Sequence, residues 1–172
     1  MNAQPQAARL PLNPPPPSKP RLLPGVGRDA DYQAHVTVVR CGQNRGIAGV
    51  QMLGSIGTDS GEHFIPFEVQ ETPSQLGRDY GYAGMLAALQ RLRTLGVRRV
   101  VIQTDDVALV DELDHRAEPH SELTLPYIML GCKLNEFARA RIIASPAERL
   151  AALRAKTAML ALTVYQEVSP VA

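Results

Sequence analysis

The sequence contains no tryptophan, and aromatic residues make up 5% of its 172 positions. Proteins that hold single-stranded nucleic acid without sequence preference stack its bases on aromatic rings, and so few rings cannot assemble that platform. Cysteine is as scarce. Cys41 and Cys132 match no zinc or redox spacing, and two cysteines make no disulfide framework. Free cysteine is among the most buried residue types, so both read as half-buried thiols in a reducing cytoplasm. No apolar run approaches the roughly 20 residues that a membrane-spanning helix needs. The N-terminus also lacks the charged start and apolar segment of a secretory signal. Net charge is nearly absent: 18 Lys and Arg against 17 Asp and Glu give a formal +1 at pH 7. A balance this close excludes a global attraction to nucleic acid or membrane and leaves only local patches. These absences describe a cytoplasmic protein with no membrane partner.

What the sequence does hold is unevenly spread. Residues 1–30 carry eight of the 14 prolines, including Pro14 to Pro17, and few large apolar groups. Proline removes backbone donors and favours an extended chain. Such a segment cannot bury enough surface to offset its ordering entropy, so it reads as a disordered arm ahead of a domain over residues 31–168. Arg9, Lys19, Arg21 and Arg28 make the arm basic. It serves either as a passive tail or as a contact for a phosphate backbone or a partner.

From there the pattern is that of an α/β domain. His35 to Val39, Gly46 to Leu53 and Gly61 to Glu71 are short β-branched or alternating runs separated by turn residues, which predicts three sequential antiparallel strands. From Gly81 to Leu95 apolar residues recur at helical spacing and Gly96 stops the helix. Val97 to Gln103 is a continuous apolar run of the kind that a buried parallel strand shows. A short helix is predicted over Val107 to Leu113, a second over Leu125 to Phe137, and a fifth strand over Arg139 to Ala144. Ser145-Pro146-Ala147-Glu148 has the composition of a helix start, with Ser145 as cap, and the final helix is predicted to reach about Tyr165. The expected architecture is a five-stranded mixed sheet, three antiparallel strands then parallel ones, flanked by helices.

Four strings in that order resemble ribonuclease H type 1. Asn44 to Leu53 is similar to the family's glycine-rich turn into its second strand, and Ala83 to Leu92 to its first helix. Val101 to Val110 resembles its fourth strand and following helix, and Ala147 to Leu153 the start of its last helix. The resemblance implies the ribonuclease-H-like fold. It also implies two Mg²⁺ or Mn²⁺ ions that hydrolyse the RNA strand of an RNA–DNA hybrid, held by carboxylates from four elements. The four matched positions are Val38, Gly84, Asp105 and Ala151. Only one carries a carboxylate. No acid lies between Tyr32 and Thr58 or between Tyr80 and Thr104 that a shifted alignment would recruit. The resemblance therefore implies an inactive scaffold, binding RNA–DNA hybrid or duplex nucleic acid or serving as an interaction module, with no cofactor expected. The alternative is a weak hydrolase in which Asp105, Asp106 and Glu148 share one ion, with Asp105 as the retained metal ligand. Asp105 has a plainer role open to it as well, as cap of the next helix.

Other groups carry less. His35, His63, His115 and His120 show no ligand spacing, although His115, Glu118 and His120 resemble the family's histidine loop. The glycines at 42, 46 and 49 lack the phosphate-loop spacing and read as turn geometry. Arginines gather around the end of the first helix and along the last one. Arg91, Arg98, Arg99, Arg149 and Arg154 are the candidate nucleic-acid contacts, their forked guanidinium groups being suited to phosphate, against an ordinary solvated face. The apolar Met159, Leu160, Leu162 and Val164 point to a last helix hydrophobic on more than one face, which leaves self-association into a homo-oligomer as a third role.

Overall fold

The structure is a computed structural model that describes residues 31–53, 59–70 and 77–168; the arm expected over residues 1–30 lies outside them. Strands β1 (Asp31–Gly42), β2 (Arg45–Leu53), β3 (Asp59–Glu68), β4 (Arg99–Thr104) and β5 (Arg139–Ala144) form one sheet in the order β3-β2-β1-β4-β5. β1 runs antiparallel to β2 and parallel to β4, so the meander of β1 to β3 joins a parallel half. β1 is longer than the β-branched core from His35 to Val39 suggests. As the middle strand it is paired on both sides, and the alternating Tyr32, Ala34 and Val36 are all buried.

Strand alternation sends residues to two faces. Ala34 and Val36 on β1, Val50 on β2 and Ile102 on β4 share one core with Met85, Leu89 and Leu92 of helix α1 (Asp79–Thr94). Helices α2 (Val107–Leu113) and α3 (Thr124–Leu134) complete that layer, with a short 3-10 turn at Ser121–Leu123 between them. α3 ends before Phe137, which instead closes the core as a buried ring beyond the helix. The other face is covered by α4 (Ala147–Val168), which lies across β1 and β2. Among the described residues no helix is long and apolar enough to cross a membrane.

Two local expectations fail for identifiable reasons. Ser145 does not cap α4: its N–H extends the parallel ladder to the Thr104 carbonyl (2.9 Å), and its buried hydroxyl has no partner among the described residues. Of the glycines, Gly46 and Gly49 sit inside β2, not in a turn. The left-handed turn residue is Asn44, with φ 60°. Gly49 is required for close approach, since a Cβ there would overlap the Thr157 hydroxyl of α4. That hydroxyl is itself committed, donating to the Leu153 carbonyl at 2.7 Å.

One buried ion pair ties the helical layer together. Glu112 of α2 is 3% exposed and accepts hydrogen bonds from the Arg78 guanidinium, just before α1, and from the Tyr82 hydroxyl in α1. Burial alone would raise the Glu112 pKa, but the bonds from Arg78 and Tyr82 outweigh it and hold the carboxyl below its usual range. Burial, then the bond to Glu112, pushes the Tyr82 hydroxyl up.

Apolar side chains remain outside the core. Leu125, Ile128 and Met129 stand exposed on α3, and Met159 and Leu162 on α4, so the last helix is apolar on more than its packed face. Cys132 is exposed beside the α3 group, contrary to the expectation that both thiols are half-buried; Cys41 is half-buried.

Two stability measurements follow. Gly49→Ala is expected to cost about 1–3 kcal/mol in urea unfolding, as overpacking does. Most of that cost should vanish in a Thr157→Ala background, where the opposing hydroxyl is gone. Glu112→Gln is expected to cost about 1.5–3 kcal/mol at neutral pH, the worth of hydrogen bonds to a charged group. A carboxyl held low in the folded state stabilises fully above its unfolded pKa of about 4.3 and ceases to do so as the pH falls through the lower folded value. The native protein should therefore lose stability on acidification through that range more steeply than Glu112→Gln, as read from unfolding midpoints across pH.

Candidate functional site

The carboxyl end of β4 is where the fold brings β1, α1 and α4 together, and the matched positions converge there. Val38 on β1 faces Gly84 on α1: a Cβ on Gly84 would lie 2.5 Å from Val38 Cγ2 and 2.7 Å from Cγ1. The branched side chain of Val38 thus fills the volume that a longer residue at position 84 would need. The two departures from the acidic pattern are one packing arrangement.

Asp105 follows the last residue of β4. Its carboxylate accepts from Arg154 Nη1 at 2.9 Å and from the Thr37 hydroxyl at 3.3 Å, and the same Arg154 nitrogen donates to Thr37 Oγ1 at 3.1 Å. Arg154 reaches in from solvent, its side chain 53% exposed against 15% for Asp105. It lies three residues beyond Ala151, itself exposed, and takes the cation's place beside the carboxylate.

The helix-cap role considered for Asp105 belongs to its neighbour. Asp106 Oδ1 accepts from the Leu109 N–H at 3.0 Å and caps α2. Glu148 is exposed in the first turn of α4. Asp105, Asp106 and Glu148 thus point to an arginine, a helix end and solvent. Among the described residues no three His, Cys, Asp or Glu side chains gather closely enough to hold a metal ion. The residues present do not fit the two Mg²⁺ of the resemblance, because the one carboxylate at a matched position is already neutralised by Arg154 and the other three positions, Val38, Gly84 and Ala151, bear no donor.

In place of a carboxylate cluster there is a cleft of about 580 Å³, lined among others by Val38, Arg40, Arg78, Tyr80, Asp105 and Arg154. Arg40 and Arg78 were not among the candidates, since each stands alone in the sequence, at a strand end and in the turn before a helix. Arg40 lies over the Tyr80 ring, 4.8 Å from its centroid. The Tyr80 hydroxyl accepts from the Asn44 N–H at 2.9 Å, which fixes the ring against the β1–β2 hairpin.

The other candidates are dispersed. Arg98 and Arg99 lie at the opposite end of β4 from Asp105, beside Arg139, its parallel partner on β5. Arg91 is exposed on α1, near His63, whose pKa burial lowers first and the Arg91 charge lowers further. Arg149 is exposed on α4, away from the cleft-facing Arg154. The five do not form one patch. A different division emerges from the ion pairs. Arg45, Arg78, Arg93, Arg116, Arg154 and Lys156 are each paired with a carboxylate. Arg98, Arg99, Arg139 and Arg141 have no acidic partner among the described residues, and they cluster on β4, β5 and the turn leading into β4. His115 and His120 make local contacts only, to the Tyr127 hydroxyl (3.4 Å) and the Glu122 N–H (3.4 Å).

No family model and no curated protein sequence matches the chain. Solved structures do. RNase H1 from the halophilic archaeon Halobacterium salinarum superposes with a TM-score of 0.61 at 15% identity, covering 73% of this chain and 92% of that one. The N-terminal RNase H domain of Rv2228c from Mycobacterium tuberculosis gives 0.62 at 15% identity, covering 81% and 98%. LC11-RNase H1 in complex with an RNA/DNA hybrid gives 0.53 at 14% identity, covering 74% and 92%. Identities this low establish architecture, and with the strand order and helix placement above they show that this chain has the ribonuclease-H-like fold.

Proposed function

We propose that the domain binds duplex nucleic acid, RNA–DNA hybrid included, through the unpaired arginines of its β4–β5 surface and does not hydrolyse it. The observation that carries this reading is the separation of paired from unpaired cations. Surface arginines elsewhere in the described residues are mostly neutralised by neighbours, whereas Arg98, Arg99, Arg139 and Arg141 are not. Register supports a shared surface. Arg99 pairs with Arg139 and Val101 with Arg141, so strand alternation directs the three arginines to one face of the sheet. Phosphate is the ligand that planar, permanently charged guanidinium forks suit best. Of the proteins sharing the fold, LC11-RNase H1 was solved with an RNA/DNA hybrid.

Hydrolysis by a two-metal route needs ions to generate the nucleophile and to take up the leaving-group charge. Here Val38 and Gly84 close on each other and Arg154 holds Asp105. The free thiols Cys41 and Cys132 fit the reducing cytoplasm. A second reading, self-association, is favoured by the exposed Met159 and Leu162 of α4; it predicts that Met159→Glu with Leu162→Glu abolishes any concentration-dependent dimer in sedimentation velocity.

The test combines binding with cleavage. Affinity for a hybrid or DNA duplex should fall linearly in log–log form with salt, and Arg139→Ala and Arg141→Ala should each flatten that slope by about 1, the loss of one phosphate contact. In millimolar Mg²⁺ or Mn²⁺, hybrid cleavage by the native protein should equal that of Asp105→Asn from the same preparation. Cleavage that disappears in Asp105→Asn would restore a hydrolase.

A further inference from the structure

We infer that the cleft between the start of α1 and α4 is an anion site for a terminal phosphate. The inference deepens the nucleic-acid reading, on which it rests only in taking a strand end as one source of that phosphate; a free phosphate compound is the other.

Three arginines from three elements line the cleft: Arg40 at the end of β1, Arg78 before α1 and Arg154 in α4. The acidic groups around it each accept a hydrogen bond, and two of the three are paired with an arginine. Asp106 is committed to the Leu109 N–H, Glu112 beneath the cleft to Arg78 and Tyr82, and Asp105 to Arg154 and Thr37. Among the described residues Arg40 is the cleft arginine that no carboxylate pairs with, while Asp106 is held by a backbone N–H and not by a paired cation. Arg40 Nε donates to the Gly42 carbonyl at 3.1 Å. That leaves its two terminal nitrogens to a ligand, with the guanidinium oriented by the Tyr80 ring beneath it. Arg154 spends a single nitrogen on both Asp105 and Thr37, so the rest of its fork is also available. The first turns of α1 and α4 open on the same space, at Arg78, Tyr80 and Gly81 and at Ala147, and their peptide dipoles add to the field of the arginines.

The charge of the ligand follows from competition with Asp105. An incoming anion must share or take over Arg154, which already holds a carboxylate. An internal phosphodiester is a monoanion of low basicity and gains nothing by that exchange. A phosphomonoester carries about −1.5 to −2 at pH 7 with three strong acceptor oxygens, enough to engage Arg40 and Arg154 together. The site therefore discriminates terminal from internal phosphate, and it needs no divalent cation.

The experiment measures fluorescence anisotropy of two short duplexes of identical sequence, one with a 5′-phosphate and one with a 5′-hydroxyl, in EDTA. Inorganic phosphate is titrated in parallel by calorimetry. The phosphorylated duplex is expected to bind about tenfold more tightly, in keeping with one or two charge-assisted hydrogen bonds. Arg40→Ala, an exposed and unpaired residue whose loss strands no buried charge, should erase that advantage, and inorganic phosphate should compete it away. Equal, salt-dependent affinity of the two duplexes overturns this inference and leaves the nucleic-acid reading standing. Saturable phosphate binding that Arg40→Ala abolishes, with neither duplex bound, supports the cleft as a site for small phosphates and overturns the nucleic-acid reading. No binding of any probe overturns both.

Discussion

A carboxylate at the carboxyl end of a central parallel strand has to find a cation. Asp105 sits where β4 stops, between β1 and α4, largely out of water, and an unpaired charge there would be severely destabilising. A ribonuclease-H-like fold can meet that demand with metal ions or with a side chain. This chain meets it with Arg154, and the remaining features of the cleft are compatible with that solution. A guanidinium beside Asp105 removes any need for further carboxylates, so Val38 and Gly84 are free to pack as apolar neighbours. The arginine is donated by the helix that crosses β1 and β2. The ion pair therefore also anchors α4 to the sheet, together with the close approach of Gly49 and Thr157.

The distribution of charge follows a second rule. Ion pairs at an exposed surface contribute little to stability, about 0–1 kcal/mol each. Their larger effect here is on the field outside the molecule. Each pair cancels itself at a distance, and what remains is set by the unpaired groups. Those groups include the arginines gathered around β4 and β5 and, in the cleft, Arg40. A protein with a formal charge of +1 thereby presents locally positive surfaces without any global excess.

Much of the architecture was legible in the sequence because it rests on periodicity. The β-branched run within β1, the helical spacing of Met85, Leu89 and Leu92, and the continuous apolar run of β4 are local properties that tertiary contacts reinforce. The failures occur where a residue's partner is remote or its role shared. Ser145 has the chemistry of a helix cap, but the ladder to Thr104 claims its backbone. Asp105 and Asp106 are equivalent as letters, and only the strand's end decides which one caps α2. The bond from Arg154 to Asp105 spans 49 residues, and nothing in the local pattern marks either end. Arg40 escaped notice for the same reason, since its setting is made by Tyr80, itself placed by α1.

The interlocking of Val38 with Gly84 also bears on how this protein can change. A glutamate at position 84 alone would be driven into the valine, and an aspartate at position 38 alone would place an unneutralised charge against a buried glycine with Arg154 already engaged. Each of these two single steps thus meets a penalty of packing or of charge, and positions 38 and 84 are coupled. In a landscape walked one residue at a time, that interlock acts as a ratchet that keeps both positions apolar.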